Sequence, residues 1–333
     1  MQVTVTGATG LLGANLAIEL LRQGYAVRGT RRSTSRTGHL KAYPIEWFQA
    51  DIDDTDALAN AFSGSELVFH CAAKTGGSRR VTEALAQANV EGTRSVLEAV
   101  RRCGVSRLVH CSTIAACAVS EDGRPVTEDA PHWNLDRFGM ADGYALTKRK
   151  SQELVLEAVR AGLDAVVVNP AYMLGPLDSG PGSGRLVLDV IYRRIPGYTA
   201  GRNNFVDVRD VSRGMILAAE RGRRGECYIL GGENLSYRDL FDRITRIAGV
   251  PPIRRPMPKV FAVMAGWYGD QKERLTGREV LMNSVGVAWA YQRGTLYSSE
   301  KAKSELGYRS GSIDRALADA IAWFQQQEML KYA

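Results

Sequence analysis

Apolar positions along the first half of the chain follow two alternating rhythms. Short apolar or alternating runs occur at residues 3–7 (VTVTG), 25–32, 45–51, 66–72, 107–113 and 165–170. Between them, apolar residues recur at helical spacing over 11–24, 55–62, 82–102 and 143–161. Runs of the first kind read as buried strands and those of the second as helices. Strand following helix in this order predicts a doubly wound α/β fold, a parallel sheet of six or seven strands covered on both faces, because a parallel crossover needs a helix-length connection. After Pro170 the rhythm breaks into a Gly/Pro/Ser-rich stretch at 175–184 (GPLDSGPGSG), which reads either as a plain surface linker or as a lid. A further strand at 227–230 is expected to rejoin the sheet. The expected organisation is a core of residues 1–170, rejoined by parts of 200–235, with 171–330 forming mainly a smaller, mostly helical cap.

Composition narrows the class. The 333 residues are 45% hydrophobic and 24% charged, values of an ordinary globular chain, which exclude a disordered or collagen-like one. No apolar stretch approaches the roughly 18 residues of a membrane span, and the chain enters its first strand with no basic and apolar leader, so a cytoplasmic protein without a membrane partner is expected. Five cysteines, an odd number with no CxxC pair, suggest buried small residues rather than disulfides or a zinc site. The net charge of +7 comes from scattered arginine doublets, not from one basic stripe. That distribution argues against nucleic acid and suits an anionic small ligand.

The chemistry begins in TGATGLLG, where Gly7, Gly10 and Gly13 stand between the first strand and the first helix. Glycines there let the backbone approach a pyrophosphate, whose charge is met by helix N-terminal N–H groups. The second strand ends in Thr30, Arg31, Arg32 and Ser33, with Arg36 beyond, where an NAD-binding unit usually offers a carboxylate to the ribose. A guanidinium fork matches the 2′-phosphate instead, so NADP is expected over NAD. Asp51, ending the third strand, reads either as a partner for the adenine amino group or as a cap for the helix at 55–62. The acidic run 51–56 is not a calcium loop, since Asp56 and Phe62 stand where Gly and Glu are required.

Tyr144 and Lys148 lie one helical turn apart, and Thr113 ends the fifth predicted strand, at the sheet edge where such folds bind ligands. An ammonium and a nicotinamide charge nearby would lower the tyrosine pKa from about 10, fitting it for proton transfer to or from a carbonyl oxygen held by the Thr113 hydroxyl.

In order, TGATGLLG, VRGTRRS, QADIDD, VFHCAA, NVEGT, HCSTIAA, YALTK, VNPAYMLGP, FVDVRDV and YILGGENLS carry a resemblance over about nine-tenths of the chain. The chain resembles the extended short-chain dehydrogenase/reductases, most closely their dihydroflavonol-reductase-like and hopanoid-associated epimerase-like branch. The resemblance implies a Rossmann-type fold and a triad of Thr113, Tyr144 and Lys148, with Lys148 also bonding the nicotinamide ribose. It aligns Thr9, Leu11 and Leu12 with the glycines at the pyrophosphate, and Arg32 ahead of Arg31 at the 2′-phosphate. It sets Asp51 and Ile52 near the adenine, Cys71, Ala72 and Ala73 along the cofactor, and Pro170 and Met173 near the nicotinamide. Tyr172 would face the substrate and Asn89 would support the site. A homodimer through the helices at 82–102 and 143–161 is implied by analogy alone.

Three positions depart from the family. Ala118 replaces the flavonoid-binding Asn, which argues against a flavonol substrate; Asn169 and Tyr172 replace the Arg and Asn of RxxNxYGP in nucleotide-sugar epimerases; Thr113 replaces the commoner Ser. The resulting expectation is an NADP-dependent oxidoreductase acting on a small organic carbonyl or secondary alcohol. The alternatives are an NAD-dependent nucleotide-sugar epimerase or dehydratase and, from another class, a non-catalytic dinucleotide sensor. His70, His110 and His132 have no ligand spacing and read as satisfied core or near-site residues. Trp267, Tyr268, Trp289 and Tyr291 read either as pocket-lining or as core packing of the cap.

Overall fold

The computed structural model describes residues 1–130, 132–277, 280 and 282–330. Strand β1 (Gln2–Thr6), helix α1 (Leu11–Arg22) and strand β2 (Ala26–Arg31) form the first βαβ unit. They are followed by β3 (Glu46–Gln49), α2 (Thr55–Phe62), β4 (Leu67–His70), α3 (Glu83–Ala86), α4 (Gly92–Arg102), β5 (Arg107–Cys111), α5 (Gly143–Arg160) and β6 (Ala165–Pro170). The predicted strand at 227–230 is β9, and it closes a seven-stranded parallel sheet in the order β3-β2-β1-β4-β5-β6-β9. The strand order reverses direction at β1, where β2 lies on one side and β4 on the other, which is where open parallel sheets make their ligand crevice.

Side-chain alternation explains the two covered faces. In β6, Val166 and Val168 join the core under α1 and α7 (Val208–Arg221), while Ala165 and Val167 join the core under α2, α4 and α5. A strand buried on both faces is mostly apolar, and all six residues of β6 are buried, the polar Asn169 with hydrogen-bond partners for its amide N–H groups.

The helix expected over 82–102 is interrupted: residues Gln87–Glu91 form a π-helical turn between α3 and α4. Such an insertion turns one residue out of helical register. Asn89 lies within this turn; it is 2% exposed and bridges to Lys74 in both directions, accepting from its N–H at 2.8 Å and donating to its carbonyl at 3.0 Å.

Beyond Pro170 the chain is less purely helical than its pattern predicts. A second sheet of three strands, β7 (Tyr172–Leu174), β8 (Arg202–Asp207) and β10 (Glu233–Ser236), runs in the order β10-β8-β7. Strands this short leave little periodic signal, and their partners are far apart in sequence. The sheet packs with α6 (Arg185–Ile191), α8 (Tyr237–Ala248) and α11 (Ile313–Gln326) in a separate core that includes Phe205, Phe241 and Phe324. Helices α9 (Lys259–Thr276) and α10 (Ser284–Tyr291) pack on each other. The loop at 175–184 is tethered, since Asn15 donates to the Pro176 carbonyl at 2.9 Å and Asp178 accepts from the N–H groups of Gly182 and Gly184.

Candidate functional site

The candidate residues follow the carboxyl ends of successive strands and so converge on one edge of the sheet. At the first turn Gly7 has φ +68°, and a Cβ there would lie 2.7 Å from the Ala72 Cα, so the loop after β1 and the loop after β4 touch only because the side chain is missing. A Cβ on Gly13 would run into the Gly7 carbonyl oxygen. Gly10 is the N-cap of α1 with no side-chain cap, and the first turn carries no acidic residue. The N-terminal N–H groups and the positive end of the helix dipole are thus left for an anion. Thr9 and Leu11 are half-buried beside them, whereas Leu12 is in the core.

Arg31 ends β2 and is half-buried; Arg32 is exposed, with its N–H donating to Ser35 Oγ at 3.0 Å. Among the described residues no carboxylate pairs with either guanidinium, in a chain where many arginines are so paired. Asp51 is exposed and does not cap α2. That cap is Asp54, which accepts the Ala57 N–H at 2.9 Å, and the capping alternative for Asp51 is corrected accordingly. Ile52 packs against Gly92, where a Cβ would meet it at 2.8 Å. Cys71 and Ala72 are half-buried and Ala73 is exposed beyond β4, where Thr6 Oγ1 accepts the Ala72 N–H at 3.2 Å.

Thr113 caps the 3₁₀ turn Ile114–Ala116, its Oγ1 accepting the Ala115 N–H at 3.2 Å. Its side chain is near enough to the Tyr144 hydroxyl to favour the phenolate. Burial outweighs it and pushes the Tyr144 pKa up; the Cys111 and Asp142 side chains act in the same direction. The lowering expected from Lys148 is therefore not produced by the chain's own groups. Lys148, 2% exposed, donates from Nζ to the Cys111 carbonyl at 2.8 Å, and burial depresses its pKa.

Below this site lies a buried polar chain. Thr6 Oγ1 and His70 Nδ1 are 2.9 Å apart, Thr93 Oγ1 lies 3.3 Å from His70 Nε2 and 2.8 Å from Ser151 Oγ, and Ser151 reaches His110 Nε2 at 3.1 Å. The two imidazoles lie tilted against each other, with centroids 5.1 Å apart and planes 47° apart. Burial first and the Lys148 charge second hold both neutral, His70 pushed down to about 3 and His110 well down. His70 is satisfied at both nitrogens, as its apolar strand suggests, but His110 Nδ1 has no partner among the described residues. His132 is exposed, so the core reading does not hold for it.

Two of the departures turn inward. Asn169 donates to the Thr113 carbonyl and to Gln152 Oε1, both at 2.9 Å, so it supports the backbone of the site from β6. Tyr172 donates its hydroxyl to the Ser183 carbonyl at 3.0 Å and packs its ring on Phe205. Pro170 is buried and Met173 half-buried at the start of the second sheet. Ser151 and Gln152 were not singled out by motif. For Ser151 the signal was its place on the buried face of α5 with Thr147 and Lys148.

The NAD dependent epimerase/dehydratase family matches residues 3–231. The chain belongs to this family, one of the extended short-chain dehydrogenase/reductases. Its relatives place this extended short-chain dehydrogenase/reductase in the dihydroflavonol-reductase-like branch. A Synechocystis sp. protein named for dihydroflavonol 4-reductase activity is 35% identical, over 98% of this chain and 95% of its own. The sterol demethylase protein B of Methylococcus capsulatus is 34% identical over 99% and 100%. Among solved structures, a nucleoside-diphosphate-sugar epimerase from Pseudomonas aeruginosa superposes with a TM-score of 0.83 at 28% identity, over 99% of both chains. The enzyme is an NAD(P)-dependent oxidoreductase of the extended type.

Proposed function

We propose that this enzyme is an NADP-dependent reductase or dehydrogenase that exchanges hydride with a carbonyl or secondary alcohol of a small organic substrate, with Tyr144 as general acid and base. The observation that carries the reading is the buried Tyr144 hydroxyl within reach of the Thr113 side chain, with the buried Lys148 one helical turn away on the same helix and bonded to the Cys111 carbonyl. The residues present fit the cofactor: an uncapped helix N-terminus and close-packed Gly7 and Gly13 suit the pyrophosphate, and Arg31 and Arg32, without an ion pair among the described residues, suit a 2′-phosphate. When bound, the nicotinamide supplies or accepts the hydride.

In the reducing direction the Thr113 hydroxyl donates a hydrogen bond to the substrate oxygen and orients it. Tyr144 passes its phenolic proton to that oxygen as negative charge develops there. The raised pKa keeps Tyr144 protonated at neutral pH, as an acid must be, and Lys148, one helical turn further along α5, holds the Cys111 carbonyl at the end of β5. Asn169 holds the Thr113 backbone and Asn89 the loop after β4, so both act by positioning.

The likeness to the P. aeruginosa epimerase favours a second reading, an NAD-dependent nucleotide-sugar epimerase or dehydratase. Against it, the side chains at Asn169 and Tyr172 are committed to internal carbonyls and offer nothing to a diphosphate. The test is Tyr144→Phe in an NADPH-coupled screen of aldehydes and ketones. Turnover should fall by about 10²–10⁴-fold with NADPH affinity retained, whereas full activity in the variant removes Tyr144 from the mechanism.

A further inference from the structure

Helix α9 is built inside out. Its buried residues are Ala262, Gly266 and Gly269, which lie against the α10 segment: a Cβ on Gly266 would meet Val287 at 2.9 Å, and one on Gly269 would strike the Met282 carbonyl. Its large apolar residues face outward instead. Phe261 is 61% exposed, Trp267 63%, Tyr268 66% and Leu275 86%, with Met264 between them. Eight of the thirteen exposed large apolar side chains among the described residues lie between Val260 and Met282. Trp267 and Tyr268 therefore do not pack a cap core, and that reading of these two aromatics is corrected. Trp289 and Tyr291, by contrast, are partly buried and bonded to the Met140 and Met257 carbonyls.

Among the described residues, the exposed charges on α9 and on the segment leading into it are of one sign. Both carboxylates of α9 are turned inward, Asp270 pairing with Arg79 at 3.1 Å and Glu273 accepting from the Ser78 hydroxyl at 2.6 Å and the Arg79 N–H at 3.2 Å. Arg254, Arg255, Lys259, Lys272 and Arg274 are exposed, and among the described residues none of them has an ion-pair partner. An exposed aromatic and aliphatic stripe flanked by unneutralised cations is the pattern of a helix lying in the interface of an anionic bilayer. A second copy of the chain docked through the same face would set these five cations against their own images. Among the described residues no helix is long and apolar enough to cross a membrane, so the contact would be peripheral.

We propose that α9 is a membrane-docking face that seats the enzyme on anionic lipid. The same helix ties down the loop at Ser78 and Arg79, and α10 brings Trp289 into the apolar cluster around Tyr144. Docking through α9 would therefore hold the active-site side of the molecule close to the lipid. The proposal does not rest on the assigned reaction.

It is tested with the full-length chain by sedimentation with phosphatidylcholine vesicles, with and without phosphatidylglycerol. Binding should require phosphatidylglycerol, weaken as salt is added, and fall by about tenfold in Trp267→Ser/Tyr268→Ser and in Arg254→Gln/Arg255→Gln. All four side chains are exposed, so these variants should fold and keep their dinucleotide affinity. No binding to phosphatidylglycerol vesicles, or binding unaltered by either variant pair, overturns the proposal. So does a dimer in sedimentation equilibrium that Trp267→Ser/Tyr268→Ser dissolves, which would give the face to a second copy.

Discussion

Mild acid should destabilise this enzyme more than its surface charges would suggest, because two imidazoles are buried neutral in the middle of the sheet. His70 and His110 are 1% and 0% exposed, and the folded pKa of each lies below the ordinary 6.5, that of His70 at about 3. Between pH 6.5 and 3 the unfolded chain binds protons that the native one does not. Stability is therefore complete above the unfolded pKa and is lost as pH falls toward the folded one. At pH 5 each neutral histidine lowers stability by about 2 kcal/mol, so the pair accounts for about 4 kcal/mol of a total that is usually about 5–15. Urea unfolding followed by far-UV circular dichroism at pH 7.5 and pH 5.0 should show this loss. His110→Leu should remove about half of it, and Ser151 in that variant keeps its 2.8 Å bond to Thr93. A loss below about 1 kcal/mol, or one that His110→Leu leaves unchanged, refutes the reasoning.

Other substitutions probe the site separately. Gly13→Ala drives a Cβ into the Gly7 carbonyl and should cost about 1–3 kcal/mol in unfolding free energy together with most of the dinucleotide affinity; an unperturbed variant would mean that the turn is not close-packed. Ser112 Oγ is buried without a partner among the described residues, so Ser112→Ala should leave stability equal or raise it by about 1 kcal/mol, whereas a clear loss on thermal melting would reveal a bond that the geometry lacks. Arg32→Ala, and less strongly Arg31→Ala, should weaken NADPH by about 10–100-fold while barely changing NADH, as read by fluorescence titration. Equal losses for both nucleotides would withdraw the 2′-phosphate assignment.

The parallel sheet was legible because its central strands are buried on both faces. Residues 165–168 form an unbroken apolar run, and the strand covers the predicted six residues. The helix at 55–62 also begins and ends as its pattern predicts, but its cap was misread because 51–56 holds four aspartates and only geometry selects Asp54. The second sheet was missed because strands of three to six residues owe their existence to partners distant in sequence, as when Tyr172 pairs with Phe205. The triad candidates were visible as Thr113, Tyr144 and Lys148, yet their electrostatics were not. Spacing suggests that Lys148 lowers the Tyr144 pKa, whereas the folded chain ties Lys148 to the Cys111 carbonyl and lets burial dominate. Nor does a sequence period reveal which face of a helix is covered: the aromatics of α9 looked like core until the small residues opposite them proved to be the buried ones.

The central claim is an exchanging, NADP-preferring enzyme, and it is tested most directly by identifying the nucleotide that leaves the freshly purified protein on denaturation and titrating the emptied chain with NADPH and NADH. The account predicts little nucleotide, or NADP(H), in the released fraction, and NADPH binding at least about tenfold tighter than NADH. Near-stoichiometric NAD(H) carried by each chain would contradict it and identify an enzyme that keeps its cofactor through the cycle, as an epimerase does.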